Sequence, residues 1–162
     1  RLNSRHAQLS RTSTNVRGLI DELVDDFFSR ERSRIRLELP DNELRADIDE
    51  ARITLLLKNL VSNALRYSRP DDGPIIVSAS ATDSELVLGV RDYGPGLSQD
   101  QAAHIGEPFY RSDKSRARES GGTGLGLYLA ALVATAHGGS LELLDTGESG
   151  AALEVRIPLT TS

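Results

Sequence analysis

Asn59, Asn63, Arg66 and Tyr67 recur at i, i+4, i+7 and i+8, so on a helix they share one stripe. Asparagine is a poor helix former, and here two of them interrupt a leucine-rich run. Amides that are buried need partners. A carboxamide oxygen can supply one ligand to a hard cation such as Mg²⁺, and a guanidinium matches phosphate oxygens. The plainer reading leaves both asparagines solvated on an outer face. Asp92 opens the run Asp92-Tyr93-Gly94-Pro95-Gly96 at the end of an alternating apolar segment. An ionised carboxylate only accepts hydrogen bonds. It can take the exocyclic amino hydrogen of adenine, whereas guanine presents a carbonyl at that edge. Gly94 and Gly96 let backbone approach a ligand with no Cβ in the way. An ordinary Asp-x-Gly turn after a strand is the alternative. Gly121-Gly122-Thr123-Gly124-Leu125-Gly126-Leu127 then runs straight into an apolar segment. Successive glycine amides at a helix N-terminus make an anion site. The spacing is neither the Walker pattern, since no GK[ST] follows, nor the dinucleotide pattern, since Leu127 stands where the third glycine belongs. A flexible glycine hinge explains it as well.

The elements that must hold these residues follow from periodicity. Residues 1–14 are polar and basic and read as a connector, with the domain running over 15–162. Val16, Leu19, Ile20, Leu23, Val24, Phe27 and Phe28 then fall at helical spacing, with Thr14 or Asn15 as a candidate cap. Strands are expected over 35–39 and 44–48, separated by the turn-forming Pro40-Asp41-Asn42. A helix over 49–67 presents Ile53, Leu56, Leu57, Leu60 and Ala64 to the core and ends at Pro70-Asp71-Asp72-Gly73-Pro74. Strands over 75–81 and 85–91 flank Thr82-Asp83-Ser84. Residues 94–122 are polar, charged and glycine-rich, the composition of a long lid. A helix over 123–137 stops at Gly138-Gly139. Strands over 140–144 and 151–159 flank the hairpin signal Asp145-Thr146-Gly147. The expected class is α+β: a two-layer sandwich, its mixed sheet largely antiparallel, with three main helices on one face.

Composition narrows the function. The 162 residues suit one domain, with 38% hydrophobic and 27% charged residues. A net charge of −5 argues against a nucleic-acid partner. Cysteine is absent, which excludes disulfides and thiolate metal sites. No apolar run nears the roughly 20 residues that span a bilayer. The chain begins at Arg1 and contains no methionine, so it reads as a fragment of a longer protein.

The order of these motifs (asparagine helix, Asp-x-Gly-x-Gly strand end, long lid, glycine box opening a helix) resembles the GHKL superfamily, or Bergerat fold. That ATP-binding fold is shared by sensor histidine kinases, type II topoisomerases, heat-shock chaperone ATPases and mismatch-repair ATPases. The resemblance covers nearly the whole chain from about residue 15 and is nearest to the histidine kinases. Asn59-Leu60-Val61-Ser62-Asn63-Ala64-Leu65-Arg66-Tyr67-Ser68 looks like their N box, Pro108-Phe109-Tyr110-Arg111 like the F box, and Gly122 to Leu127 like the second glycine box. The resemblance implies ATP and Mg²⁺ as ligands. Asn63 would ligate Mg²⁺ beside Asn59, and Arg66 and Tyr67 would line the phosphate and nucleotide pocket. Asp92 would hold adenine, with Gly94 and Gly96 in the same box. Gly122, Thr123, Gly124, Leu125, Gly126 and Leu127 would border the nucleotide. The lid is basic at Arg111, Lys114, Arg116 and Arg118; the resemblance favours Arg111 and Arg116 as phosphate-facing, and solvated charge is the alternative for each.

The superfamily's hydrolases carry a glutamate four residues before the magnesium asparagine, where this chain has Asn59. An amide is no general base at neutral pH, and Asp49 and Glu50 lie too far back on the helix. The resemblance therefore implies transfer of the γ-phosphate to an imidazole elsewhere. Kinase acceptors are followed by Glu or Asp, with a proline a few residues on. His6, His104 and His137 precede Ala7, Ile105 and Gly138, so none fits. His137 reads as a helix end where positive charge is favoured. The implied partners are a dimerisation and histidine-phosphotransfer domain, joined through residues 1–14, and a response regulator receiver domain. The fragment is expected to be a monomer, and the parent a homodimer with this domain in the cytoplasm and an anchor in the bacterial inner membrane. A degenerate nucleotide-binding sensor without kinase activity is the alternative; a chaperone-type ATPase is opposed by Asn59.

Overall fold

The computed structural model describes residues 8–96, 125–144 and 149–159. In chain order these form β1 (Thr12–Asn15), α1 (Val16–Phe27), β2 (Ile35–Glu38), β3 (Arg45–Ile48), α2 (Glu50–Tyr67), β4 (Ile75–Ala81), β5 (Glu85–Arg91), α3 (Leu125–Ala136), β6 (Ser140–Leu144) and β7 (Ala152–Pro158). Short 3₁₀ turns cover Ser29–Arg34 and Pro70–Asp72. A five-stranded sheet has the order β2-β4-β5-β7-β6. Its β2–β4 pair is parallel and the other pairs are antiparallel. Alternation along β4 and β5 buries Ile75, Val77, Ala79, Leu86, Leu88 and Val90 on one face. That face joins the buried stripes of all three helices in a single core. This is the expected two-layer α+β sandwich with a largely antiparallel sheet.

Some local readings needed correction. The polar Thr12–Asn15 segment, which spans the expected boundary between connector and domain at 14/15, forms a strand paired antiparallel with β3, Thr12 opposite Ile48 and Asn15 opposite Arg45. Backbone pairing needs no apolar side chains, and Thr14 is buried because its Oγ1 donates to the Thr12 carbonyl at 3.0 Å. The expected strands at 35–39 and 44–48 both form, but in different sheets. β2 lies parallel to β4, and β3 sits in a separate two-stranded sheet with β1. A parallel pair needs a long crossover, and here the intervening chain includes α2. Phe27, expected on the core face, is 48% exposed with the Lys58 ammonium 4.2 Å from its ring centre. The helix ends there, and Phe28 leaves helical phase at φ −133° to enter the core in its place. Of the two candidate caps, Asn15 does the work, its Oδ1 accepting the Gly18 N–H at 3.1 Å.

The two helices nearest the candidate site are tied together at their far ends. Asp49 caps α2, its Oδ1 accepting the Arg52 N–H at 3.2 Å. Its Oδ2 accepts the Ser10 N–H at 3.0 Å and a bond from the Arg52 guanidinium. The Asp49 N–H donates to His137 Nε2 at 3.1 Å, and His137 Nδ1 lies 2.9 Å from the Val133 carbonyl. Both ring nitrogens are used with one as acceptor, so the imidazole is the neutral Nδ1–H tautomer. This corrects the expectation of a favoured positive charge. Burial pushes the His137 pKa below its ordinary 6.5, helped by Arg11 and Arg52 and opposed by the Val133 bond and Asp49.

A pH dependence follows. Below pH 6.5 the unfolded chain binds a proton that the folded ring refuses, so stability falls as pH drops from 6.5 toward the lowered folded value. For Asp49, burial raises the pKa, but bonds from Ser10 and Arg52 outweigh it and hold the group below 3.8. Its contribution is present above 3.8 and lost only as pH falls through its folded value. Urea unfolding should therefore show wild type less stable at pH 5.5 than at pH 7.5. His137→Leu should lose about 1–3 kcal/mol at pH 7.5, through the unpaired Asp49 N–H, and flatten the near-neutral slope. An unchanged slope in His137→Leu would overturn the assignment.

Candidate functional site

α2 carries two faces. Ile53, Leu56, Leu57, Leu60, Val61 and Ala64 are buried in the core. Asn59, Asn63 and Tyr67 lie half-buried beside them, and Arg66 is exposed. The asparagine stripe is thus neither core nor freely solvated. Asn59 Nδ2 is buried and has no hydrogen-bond partner among the described residues. Such a donor costs about 1–3 kcal/mol unless something else accepts from it.

The end of β5 is packed against the end of α2. Asp92 is 4% exposed, its N–H donates to the Ala151 carbonyl at 2.9 Å, and its Oδ1 accepts the Gly94 N–H at 2.9 Å. Burial raises the Asp92 pKa, against bonds from Gly94 and Ala151 and the charge of Arg91, which lower it. A Cβ on Gly94 would stand 2.5 Å from the Tyr67 carbonyl oxygen and 3.0 Å from Ser68 Cα, so only glycine lets the loop lie on that helical turn. The Arg91 guanidinium stacks 4.4 Å from the centre of the Tyr93 ring. The structure thus brings Tyr67 of the asparagine stripe against the loop that follows Asp92.

On the opposite side lies Gly150, which sequence reasoning missed. Its φ is +101°, and a Cβ there would meet the Asp92 carbonyl oxygen at 2.0 Å. Gly96, at φ +81°, faces the Gly150 carbonyl oxygen, 2.7 Å from where a Cβ would be. The available signal was a second glycine three residues after Gly147, more than a hairpin turn requires.

α3 packs along α2 and is described from Leu125, inside the third motif; its expected start at Thr123 lies outside the described residues. Leu125 and Gly126 form its first turn, and Leu127 packs on the core. Arg111, Arg116, Gly122, Thr123 and Gly124 lie outside the described residues, as do the F box and the lid.

The arrangement fits an adenine nucleotide. A buried carboxylate braced by backbone can accept from an amino group, and the two glycines of its loop let that loop pack closely on the α2 turn and on Gly150. Among the described residues no cluster of three His, Cys, Asp or Glu could hold a metal. A cation at Asn63 would therefore take most of its ligands from phosphate and water, the usual mode for Mg²⁺.

Comparison with known proteins agrees. Residues 48–161 match the family described as histidine kinase-, DNA gyrase B- and HSP90-like ATPase. The sensor histidine kinase WalK of Bacillus subtilis is 32% identical over 98% of this chain, and MtrB of Mycobacterium leprae 33% identical over 96%. The chain spans only 26% and 29% of those two proteins. The catalytic domain of the histidine kinase ThkA superposes with a TM-score of 0.77 at 26% identity, over 94% of this chain and 100% of that one. Full-length ShkA, crystallised with AMPPNP, gives a TM-score of 0.76 at 26% identity, over 96% of this chain and 32% of that one. The fold, the motif order and the extent of the match together make this chain a member of the histidine kinase-, DNA gyrase B- and HSP90-like ATPase family.

Proposed function

We propose that this chain binds Mg-ATP and donates the γ-phosphate to a histidine on a separate dimerisation domain of a two-component sensor kinase. The phosphoryl group then passes to a response regulator receiver domain. The observation that carries this reading is the pairing of Asp92, a buried acceptor, with an asparagine helix that has an amide at position 59. In it, Asp92 accepts from the adenine amino group, and Gly94 and Gly96 let the loop that carries it pack on the α2 turn and on Gly150. Asn63 offers its carboxamide oxygen to Mg²⁺, which when bound neutralises charge on the phosphates. Asn59 meets the same ligand set with its buried amide, Arg66 and Tyr67 flank the phosphates, and Arg111 and Arg116, outside the described residues, add positive charge for the phosphates. No general base faces the γ-phosphate from α2, so water is not activated there. The enzyme's share is positioning and charge neutralisation. The imidazole attacks phosphorus, a P–N bond forms, the bond to the β–γ bridging oxygen breaks, and ADP leaves. In the same reading the domain alone is a monomer, while the parent is a homodimer, anchored in the membrane, with this domain in the cytoplasm.

Two measurements test it. Label from γ-labelled ATP should move to a supplied dimerisation domain and not appear as free phosphate. Steady release of phosphate without an acceptor would favour a hydrolase instead. In calorimetry of a non-hydrolysable ATP analogue, wild type should bind more tightly with Mg²⁺ than with chelator. Asn63→Ala should erase that difference, about a tenfold effect for one lost ligand.

A further inference from the structure

We infer that Arg34 is a positioning residue for adenine recognition; the inference rests on the nucleotide-binding reading above. Arg34 ends the 3₁₀ turn before β2 and lies far from every motif in sequence. Its Nη2 donates to the Ser68 carbonyl at 3.3 Å and to Ser68 Oγ at 3.2 Å. Ser68 is the C-cap of α2, 7% exposed, and its own Oγ donates to the Ala64 carbonyl at 2.7 Å. Arg34 therefore sets a cation on the carbonyl-rich end of the asparagine helix, where the helix dipole favours one.

That same turn is the seat of the Asp92 loop. Gly94 rests on the Tyr67 carbonyl and on Ser68, and Gly94 in turn donates to Asp92 Oδ1. Arg34, Ser68, Gly94 and Asp92 form one continuous chain of contacts. The guanidinium is held there against a local cost, because its Nε is buried without a hydrogen-bond partner among the described residues. Both bonds leave one nitrogen, Nη2, which the planar guanidinium holds in place more firmly than a flexible ammonium stem would. Arg34 thus holds the turn that aims the Asp92 carboxylate, and through it the preference for adenine over guanine.

The test is calorimetry of non-hydrolysable ATP and GTP analogues on wild type, Arg34→Met and Arg34→Lys, with circular dichroism as a check on folding. Wild type should prefer the ATP analogue. Arg34→Met should weaken ATP-analogue binding about tenfold and narrow the ATP-over-GTP ratio, with Arg34→Lys in between. Equal weakening for both analogues with the ratio intact would mean a structural role only and would overturn the inference. So would wild-type affinity and ratio in Arg34→Met, while leaving the nucleotide reading standing. A folded wild type that binds neither analogue overturns both. Should Arg34→Met not fold, Ser68→Ala decides: it removes the Oγ acceptor, keeps the arginine, and must narrow the ratio in the same direction.

Discussion

Asp92→Asn should lower affinity for an ATP analogue at least about 100-fold while leaving the fold as stable as wild type or slightly more so. The proposed site asks for an acceptor facing the adenine amino group. Asparagine can keep its oxygen toward the Gly94 N–H, where the carboxylate now takes a 2.9 Å bond. The amide NH₂ then faces the ligand, donor against donor. Loss of a charge-assisted bond of about 1.5–3 kcal/mol, with a donor left unsatisfied at a further 1–3 kcal/mol, yields the factor of 100 or more. The stability arm has the opposite sign. Burial raises the Asp92 pKa, so the folded state disfavours the ionised form. For a carboxylate whose folded pKa is raised, stability declines as pH climbs through and above the ordinary value of 3.8. Removing the charge removes that cost at neutral pH. The variant should also narrow the ATP-over-GTP preference, because an amide NH₂ can donate to the guanine carbonyl. Calorimetry with both analogues and a thermal melt check all three statements. Retained tight binding of the ATP analogue would remove Asp92 from the adenine site.

The contrast between what was readable and what was not follows physical range. α2 was legible because Ile53, Leu56, Leu57, Leu60 and Ala64 repeat at helical spacing, and all five are buried. The β4–β5 hairpin was legible because Thr82 signals its turn, accepting the Ser84 and Glu85 N–H groups through Oγ1 at 3.2 and 3.0 Å. The turn after β5 was legible because Asp92 and Gly94 stand two residues apart, and Asp92 Oδ1 accepts the Gly94 N–H at 2.9 Å. β1 was illegible because Thr12–Asn15 is tied to β3 through backbone groups, which any sequence supplies. Pro40-Asp41-Asn42 bends the chain between β2 and β3 without stating which strands will pair. His137 misled because its charge state is set by the Asp49 N–H, 88 residues away in sequence. Arg34 and Ser68 are 34 residues apart, and no periodicity links them. Local patterns thus pointed to the candidate site, whereas the side chains that brace it depend on contacts that only the folded chain makes.

Gly150→Ala should be among the most damaging single methyl additions in the described fold. Two independent terms add. At φ +101° an L side chain is strained, typically by 1–3 kcal/mol. The new Cβ would also stand 2.0 Å from the Asp92 carbonyl oxygen and 2.8 Å from Tyr93 Cα, both backbone atoms that cannot rotate away. Relief requires β5 to part from the segment before β7, where the Asp92 N–H meets the Ala151 carbonyl at 2.9 Å. The combined loss should be about 3–5 kcal/mol, or about 10 °C in Tm for a domain of this size. Gly18→Ala is the matched control. Gly18 lies in the first turn of α1, and its Cβ would meet nothing closer than 3.5 Å. Alanine there should be neutral or stabilising by roughly 0.5–1 kcal/mol through the unfolded chain. Because the displaced atoms belong to Asp92 and Tyr93, the folded fraction of Gly150→Ala should also bind the ATP analogue more weakly than wild type. Melts of both variants, with calorimetry below the melting range, separate the two effects. A Gly150→Ala protein with unaltered Tm would mean that the loop relaxes freely, and Asp92 would then owe its position to Gly94 and the α2 turn alone.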